Sequence, residues 1–314
     1  MKKVAVTGTT GFLGKALVHL LTENQQVEVI SMCRNVSHSS EMKLDLSSHF
    51  DVAQELHQRQ VDVVIHCAAR AHILDDDAKS PLEEYRKVNT SATIELAKQA
   101  VAAGVKRFIF ISSAKVNGEV SAASHPLSET VLEAPTDPYA LSKYEAELAL
   151  TQIANESGME VVIIRPPLVY GPEVKANFAA LMKLSRLGLP LPFGAINNKR
   201  SLISLDNLCD VISLCITHPA AANQTFLVSD DEDASTTQLL TELIKAYGAR
   251  TLLVPIPVAF LKILLKIVGK PMIAERLFGN LQFDIRHIKQ TLNWAPPYSF
   301  EQGIAKTVKD SKKK

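Results

Sequence analysis

Cysteine, charge imbalance and long apolar runs are what this chain lacks. Its 314 residues include four cysteines, Cys33, Cys67, Cys209 and Cys215, and none forms a C-x-x-C pair with another. That excludes a disulfide scaffold and the paired spacing of a zinc site, and no metal ligand set is expected; buried free thiols in a reducing cytoplasm are. The formal net charge is +1, so the basic surplus of a nucleic-acid binder is missing. No secretory leader is expected either, because Thr7 to Gly11 interrupts the first apolar run too early. The nearest approach to a membrane segment is "VAFLKILLKIVGK", Val258 to Lys270, which is too short and too charged to span a bilayer. Its three lysines fall on one helical stripe. It reads as a helix packed on the carboxyl-terminal part, with a membrane-surface helix as the less favoured alternative.

What is present is the composition of an ordinary globular protein: 46% hydrophobic and 21% charged residues, enough core for one large domain or two smaller ones. Strand-like runs at Lys3–Thr7, Val27–Cys33, Val61–Cys67, Arg107–Ser112 and Val161–Arg165 alternate with helical patterns at Gly11–Thr22, Val52–Gln58, Pro81–Ala103 and Tyr139–Ser157. Near-continuous apolar strands separated by helices predict a parallel, doubly wound α/β sheet covered on both faces. From Arg165 onward prolines and loops become more frequent. The reading is therefore a dinucleotide-binding domain over residues 1–165 and a smaller substrate domain over 166–314, with segments near 200–230 crossing back.

The first strand runs into "TGTTGFLG", where Gly8, Gly11 and Gly14 separate an apolar strand from the helical pattern of Leu13, Leu17, Leu20 and Leu21. In a strand–turn–helix context, such glycines let backbone approach a pyrophosphate and aim helix N–H groups at it. After the second strand, where a NAD site places an acid, stand Cys33 and Arg34; an arginine there pairs with a ribose phosphate, so the cofactor is NAD or NADP with a lean to NADP. Asp45 in "KLDLSS" either accepts from the adenine amine or caps a turn. Ala68 and Ala69 in "HCAARAH" leave room for backbone to lie along the cofactor. His66 beside them reads as a packed core histidine. Asn89, within a long helical pattern, reads either as a cofactor contact or as a local bend.

"DPYALSKYEAE" places Tyr139 and Lys143 four residues apart, on one helix face. A free tyrosine titrates near ~10 and is a poor base at neutral pH. A neighbouring ammonium and a nicotinamide positive charge favour the phenolate, so Tyr139 can exchange a proton while hydride moves. Ser113 ends the fifth strand at the edge where the site should lie, and its hydroxyl can steady the reacting oxygen.

"TGTTGFLG", "HCAARAH", "FISSAKVNG", "YALSK" and "RPPLVYGP", in this order, resemble the extended short-chain dehydrogenases/reductases, and within them the NAD-dependent epimerase/dehydratase family. The resemblance implies an NAD(P)-binding Rossmann fold and an enzyme acting on nucleotide sugars. It implies Ser113, Tyr139 and Lys143 as the catalytic triad. The cofactor set it implies is Gly8, Gly11, Phe12, Leu13, Gly14, Arg34, Asp45, Leu46, Ala68, Ala69, Asn89 and Pro166, with Tyr139 and Lys143 shared. Asn117, Asn177, Arg200 and Arg276, with Ser113, are implied on the substrate side, the arginines for phosphate oxygens. A homodimer paired through the two long helices is a further implication. Two departures from the family pattern matter. Asn117 stands where UDP-glucose 4-epimerases carry a tyrosine, and Ala114 and Lys115 replace the Asp–Glu pair that dehydratases need, so dehydration is not expected. Arg34 and Asn117 tilt the expected reaction slightly to reduction of UDP-4-keto-6-deoxy-N-acetylglucosamine, giving UDP-N-acetylquinovosamine for surface-polysaccharide (O-antigen) synthesis. The alternative is 4-epimerisation of UDP-glucose or UDP-N-acetylglucosamine. A non-catalytic dinucleotide sensor is the least favoured, since sensors commonly lose the Tyr or the Lys.

Overall fold

The computed structural model describes residues 1–71, 80–122, 125–267, 269, 274 and 277–312. Seven parallel strands form its large sheet: β1 (Lys2–Thr7), β2 (Val27–Cys33), β3 (Met42–Lys43), β4 (Val63–His66), β5 (Arg107–Ile111), β6 (Glu160–Arg165) and β9 (Gln224–Leu227), in the order β3-β2-β1-β4-β5-β6-β9. Alternation along each strand divides the core. Val4 and Val6, Val63 and Ile65, Ile109 and Ile111, Val162 and Ile164 face one side, where α1 (Phe12–Asn24) and α7 (Leu205–Thr217) pack. Ala5, Val64, Phe108, Phe110, Val161 and Ile163 face the other, beneath α4 (Ala92–Ala102) and α5 (Pro138–Ser157). Both faces are covered, so the strands carry no polar face. The doubly wound α/β class expected from the alternation is the class observed.

Two differences from the sequence pattern are informative. The single helical stretch Pro81–Ala103 is in fact α3 (Pro81–Tyr85), a π-helical turn over Arg86–Ser91, and then α4. Asn89 sits inside that turn, and π-turns are frequent at functional sites. The stretch Val258–Lys270 forms a helix, α9, over Val258–Ile267, with residues 268 and 270 outside the described set. No helix of the described residues is long and apolar enough to cross a membrane.

The carboxyl-terminal part feeds both layers. Its strand β9 pairs in parallel with β6, and α7 joins the α1 side of the large sheet. It also builds a small sheet of β7 (Leu168–Tyr170), β8 (Arg200–Ser204) and β10 (Asp233–Ala234), packed through Tyr170, Phe178, Leu239 and Phe300 against α6 (Ala176–Ser185), α8 (Thr236–Tyr247) and α11 (Phe300–Ser311). Helix starts follow the local chemistry. Asp137 accepts from Ala140 N–H at 2.8 Å with Pro138 in the first turn of α5, and Ser235 and Ser299 form capping boxes with Gln238 and Gln302.

Candidate active site

The chain passes from β1 out to β2 and β3, then crosses to β4, so the sheet reverses direction between β1 and β4. Ligands of such sheets bind at the carboxyl ends beside that reversal. The glycine turn lies there. Gly8 has φ +72°, and a Cβ on it would stand 2.8 Å from Ala68 N, at the end of β4. A Cβ on Gly14 would lie 2.2 Å from Gly8 O, and one on Gly11 would lie 3.1 Å from the same atom. The glycines thus serve a turn folded tightly on itself and against the neighbouring loop. Gly11 caps α1 with no side-chain hydrogen bond, and the first turn carries no acid. The amides of Phe12 and Leu13 therefore open an uncapped helix end, which suits a pyrophosphate. The Ser112 hydroxyl, at the carboxyl end of β5, is buried without a partner. These features fit a dinucleotide.

Tyr139, Lys143 and Ser113 come together at the ends of β4, β5 and β6. Ser113 lies beside the Tyr139 hydroxyl and favours its ionised form, and the Tyr85 ring meets Tyr139 edge-on at 5.9 Å. Tyr139 keeps some surface in contact with solvent, yet burial of its hydroxyl by the protein pushes the phenol up to about 12, with Asp137 and Tyr85 adding and Ser113 opposing. Lys143 is 1% exposed; its Nζ donates to Ile111 O at 2.8 Å and lies 4.4 Å from the Phe110 ring centre. Burial brings Lys143 down to about 8, against the pull of Glu147 and Cys67. In this state the pair is a neutral phenol beside a marginal ammonium. A further positive charge is what the phenolate requires.

The other residues singled out from sequence divide by what their side chains already hold. Asn89 is fully buried; its Oδ1 accepts from Arg70 N–H at 2.8 Å and its Nδ2 donates to Ser142 Oγ at 3.0 Å, so its amide is spent on the protein. Asn117 is spent too, donating to Ser128 O at 2.6 Å and accepting from Arg165 Nη1 at 3.1 Å. Pro166 is buried and its carbonyl accepts from Ala114 N–H at 2.9 Å. Asp45 accepts from Ser47 N–H and Oγ at 3.0 and 2.6 Å, which, with Arg34 and Lys43 nearby, holds it below the usual carboxylate range. Leu46 is half-buried beside it, Ala68 is half-buried, and Ala69 and Arg34 are exposed. Asn177 is exposed in the first turn of α6. Arg200 is half-buried at the start of β8, donating to Gly279 O at 3.1 Å; burial lowers its pKa while Glu119 opposes. Arg276 lies outside the described residues.

Sequence reasoning missed the buried polar groups that hold this site. Arg165, at the end of β6, makes a two-pronged ion pair with Glu147 of α5 (2.9 Å from Nε and 2.5 Å from Nη2) and donates to Glu129 O at 2.6 Å as well as to Asn117. Glu147 is one helical turn beyond Lys143, and that spacing was the available signal. His66 was read as core. It is buried, but it also bridges Thr7 and Thr93.

The NAD dependent epimerase/dehydratase family profile matches residues 4–229. UDP-glucose 4-epimerase of Vibrio cholerae is 49% identical over 312 residues, covering 98% of this chain and 94% of that protein. Among solved structures, UDP-N-acetylglucosamine 4-epimerase from Bacillus cereus superposes with a TM-score of 0.80 at 19% identity, covering 99% of this chain and 100% of that one. UDP-glucuronic acid 4-epimerase from Bacillus cereus, in complex with NAD, gives 0.76 at 21% identity, covering 99% of each chain. A profile match that takes in the glycine turn, Ser113, Tyr139 and Lys143, with a relative this similar end to end, makes the chain an enzyme of the extended short-chain dehydrogenase type that belongs to the NAD dependent epimerase/dehydratase family.

Proposed function

We propose that the protein is a UDP-hexose 4-epimerase working with NAD. The observation that carries this reading is the near full-length similarity to the Vibrio cholerae UDP-glucose 4-epimerase. It displaces the tilt toward a 4-keto reductase. Half of that tilt rested on Asn117, whose side chain is occupied by Arg165 and Ser128 rather than open to a sugar. Arg34 still speaks for NADP and, through it, for the reductase.

In this reading Gly8, Gly11, Phe12, Leu13 and Gly14 hold the pyrophosphate, the Ala68–Ala69 backbone lies along the dinucleotide, and Lys143 holds the nicotinamide ribose. When bound, the dinucleotide supplies the hydride acceptor, later the donor, and a positive charge beside Tyr139. That charge, with the Lys143 ammonium, draws the phenol down from its high value toward the phenolate. Tyr139 takes the proton of the sugar's 4-hydroxyl as that carbon becomes a ketone, and returns it once the ketone has turned its other face. Ser113 hydrogen-bonds the same oxygen throughout, stabilising its changing charge. Asn177 and Arg200 face the nucleotide phosphates. The same reading makes the protein a homodimer through the outer faces of α3–α4 and α5, where Leu148 is 54% exposed; light scattering at micromolar concentration checks this, and a monomer counts against it.

The deciding experiment incubates the protein with UDP-glucose, and separately with UDP-N-acetylglucosamine, in NAD without reductant, and follows the anomeric protons by NMR. Appearance of the galacto epimer is expected. No interconversion, together with NADPH oxidation by a UDP-4-keto-6-deoxysugar, overturns the proposal in favour of the reductase.

A further inference from the structure

An unbroken path of buried hydrogen bonds joins the glycine turn to the backbone of Tyr139. Thr7, the last residue of β1 before Gly8, accepts from Ala68 N–H at 3.1 Å and pairs with His66 Nδ1 at 2.8 Å. His66 Nε2 pairs with Thr93 Oγ1 at 3.0 Å, and Thr93 Oγ1 donates to Asn89 O at 2.8 Å within the π-turn. Asn89 Nδ2 donates to Ser142 Oγ, and Ser142 Oγ donates to Tyr139 O at 2.7 Å, in the first turn of α5. Thr90 Oγ1 adds a bond to Ser142 O at 2.8 Å. Thr7, His66, Asn89, Thr93 and Ser142 are each 1% exposed or less.

Proton counting fixes the direction of the path. A threonine hydroxyl has one proton. Thr93 gives its proton to Asn89 O, so His66 must donate to Thr93 from Nε2–H. In a neutral ring Nδ1 is then the bare acceptor, and Thr7 gives its proton to it. Burial, which brings His66 down to about 3, keeps the imidazole neutral, and the path then admits a single tautomer. Phe110 stacks on the ring at 5.9 Å and Phe108 flanks it at 6.0 Å. A flip of the ring would put carbon atoms where its two nitrogens now bond and so break the path.

We propose that His66 is a positioning residue for the reaction: through Thr93, Asn89 and Ser142 it fixes the start of α5, and with it the Tyr139 hydroxyl, relative to the turn that holds the dinucleotide. The proposal rests on Tyr139 being the proton-transfer group. A rigid link between the two is what proton exchange needs, because misplacement by an ångström costs about a hundredfold in rate.

The test removes one hydroxyl without changing shape. Thr93→Val leaves His66 without its acceptor, and Thr93→Ser restores it. With UDP-glucose and NAD, Thr93→Val is expected to lower kcat by about tenfold or more while the UDP-glucose KM and the NAD Kd stay within about threefold; Thr93→Ser recovers most of the rate. A kcat within about twofold of wild type in Thr93→Val overturns the proposal. Tyr139→Phe, assayed alongside, separates the two readings: if it keeps the wild-type rate, the assignment of Tyr139 fails, whereas an inactive Tyr139→Phe beside a fully active Thr93→Val sinks only the role of His66. Should Thr93→Val not fold, nitrogen-15 histidine spectra of the wild type decide. A neutral His66 with a slowly exchanging Nε2–H at pH 5 supports the path, and an imidazolium or an Nδ1–H tautomer overturns it.

Discussion

The proposed chemical centre of this site and its proposed recognition edges are built in opposite ways. Around the reacting groups, His66, Asn89, Thr93, Ser142 and Lys143 are 1% exposed or less, and Arg165 and Glu147 are 5% and 3% exposed. Nearly every polar atom among them has a named partner. At the edges, Arg34 and Asn177 are exposed, and Arg200 is half-buried, donating to the Gly279 carbonyl. The contrast separates two tasks. Groups that stabilise changing charge work best when already oriented, since no reorganisation is then needed during the reaction. Groups that grip a ligand can be ordered by it, at an entropic cost taken from affinity rather than from rate.

The largest expected effect breaks the buried side. Arg165→Met takes from the Glu147 carboxylate both hydrogen bonds that its side chain makes among the described residues, and removing one partner of a buried ion pair costs about 3–5 kcal/mol. Urea unfolding should show that loss, and a change below about 1 kcal/mol would mean the pair is not the clamp its geometry suggests. Next comes Tyr139→Phe. The fold keeps its packing and NAD affinity should hold, while kcat falls at least ~10²-fold, close to 3 kcal/mol of barrier. The raised phenol adds a pH signature. Without cofactor, Tyr139 stays protonated through neutral pH and ionises only near about 12; with NAD bound, a wild-type-minus-Tyr139→Phe difference spectrum should show its phenolate at lower pH. An unmoved ionisation would remove the electrostatic account of Tyr139.

How much of this was legible in the sequence follows from the same contrast. The sheet was readable because its central strands are covered on both faces and so are mostly apolar, with polar residues largely at their ends; the glycine turn was readable because backbone contact leaves no other residue type possible at Gly8 and Gly14. Tyr139 and Lys143 announce themselves by helical spacing. What stayed hidden are pairings between distant positions. Nothing local tells that Arg165 meets Glu147 or that His66 reaches Thr93, since burial makes such groups look like errors in an apolar pattern until their partners are known. The π-turn at Arg86–Ser91 was half legible: a local bend at Asn89 was one of its two readings, whereas the partners of that side chain, Arg70 and Ser142, are remote in sequence and were not. Asn117 shows the converse. It was legible as a departure from a family pattern, yet what that departure does depends on Arg165, which the pattern alone did not connect to it.

The smallest expected effect sharpens the exposed side. Arg34 stands just beyond the carboxyl end of β2, where the adenosine ribose of a dinucleotide lies on a sheet of this order. Its guanidinium is in solvent, with Asp45 close enough to feel its charge. A guanidinium favours the 2′-phosphate of NADP, whereas a carboxylate in its place repels that phosphate and can accept from the free ribose hydroxyls of NAD. Because the site is exposed, the contact is screened and is worth about 1 kcal/mol, roughly a fivefold change in relative affinity. Arg34→Asp should therefore move the NADPH-to-NADH affinity ratio toward NADH by about that factor and leave stability and kcat with saturating NAD unchanged. Titrating both nucleotides into wild type and variant by fluorescence measures it. An unchanged ratio would place Arg34 outside the cofactor site. A shift of about a hundredfold would mean that ligand binding buries Arg34, and the division between a buried centre and an open edge would then fail at this position.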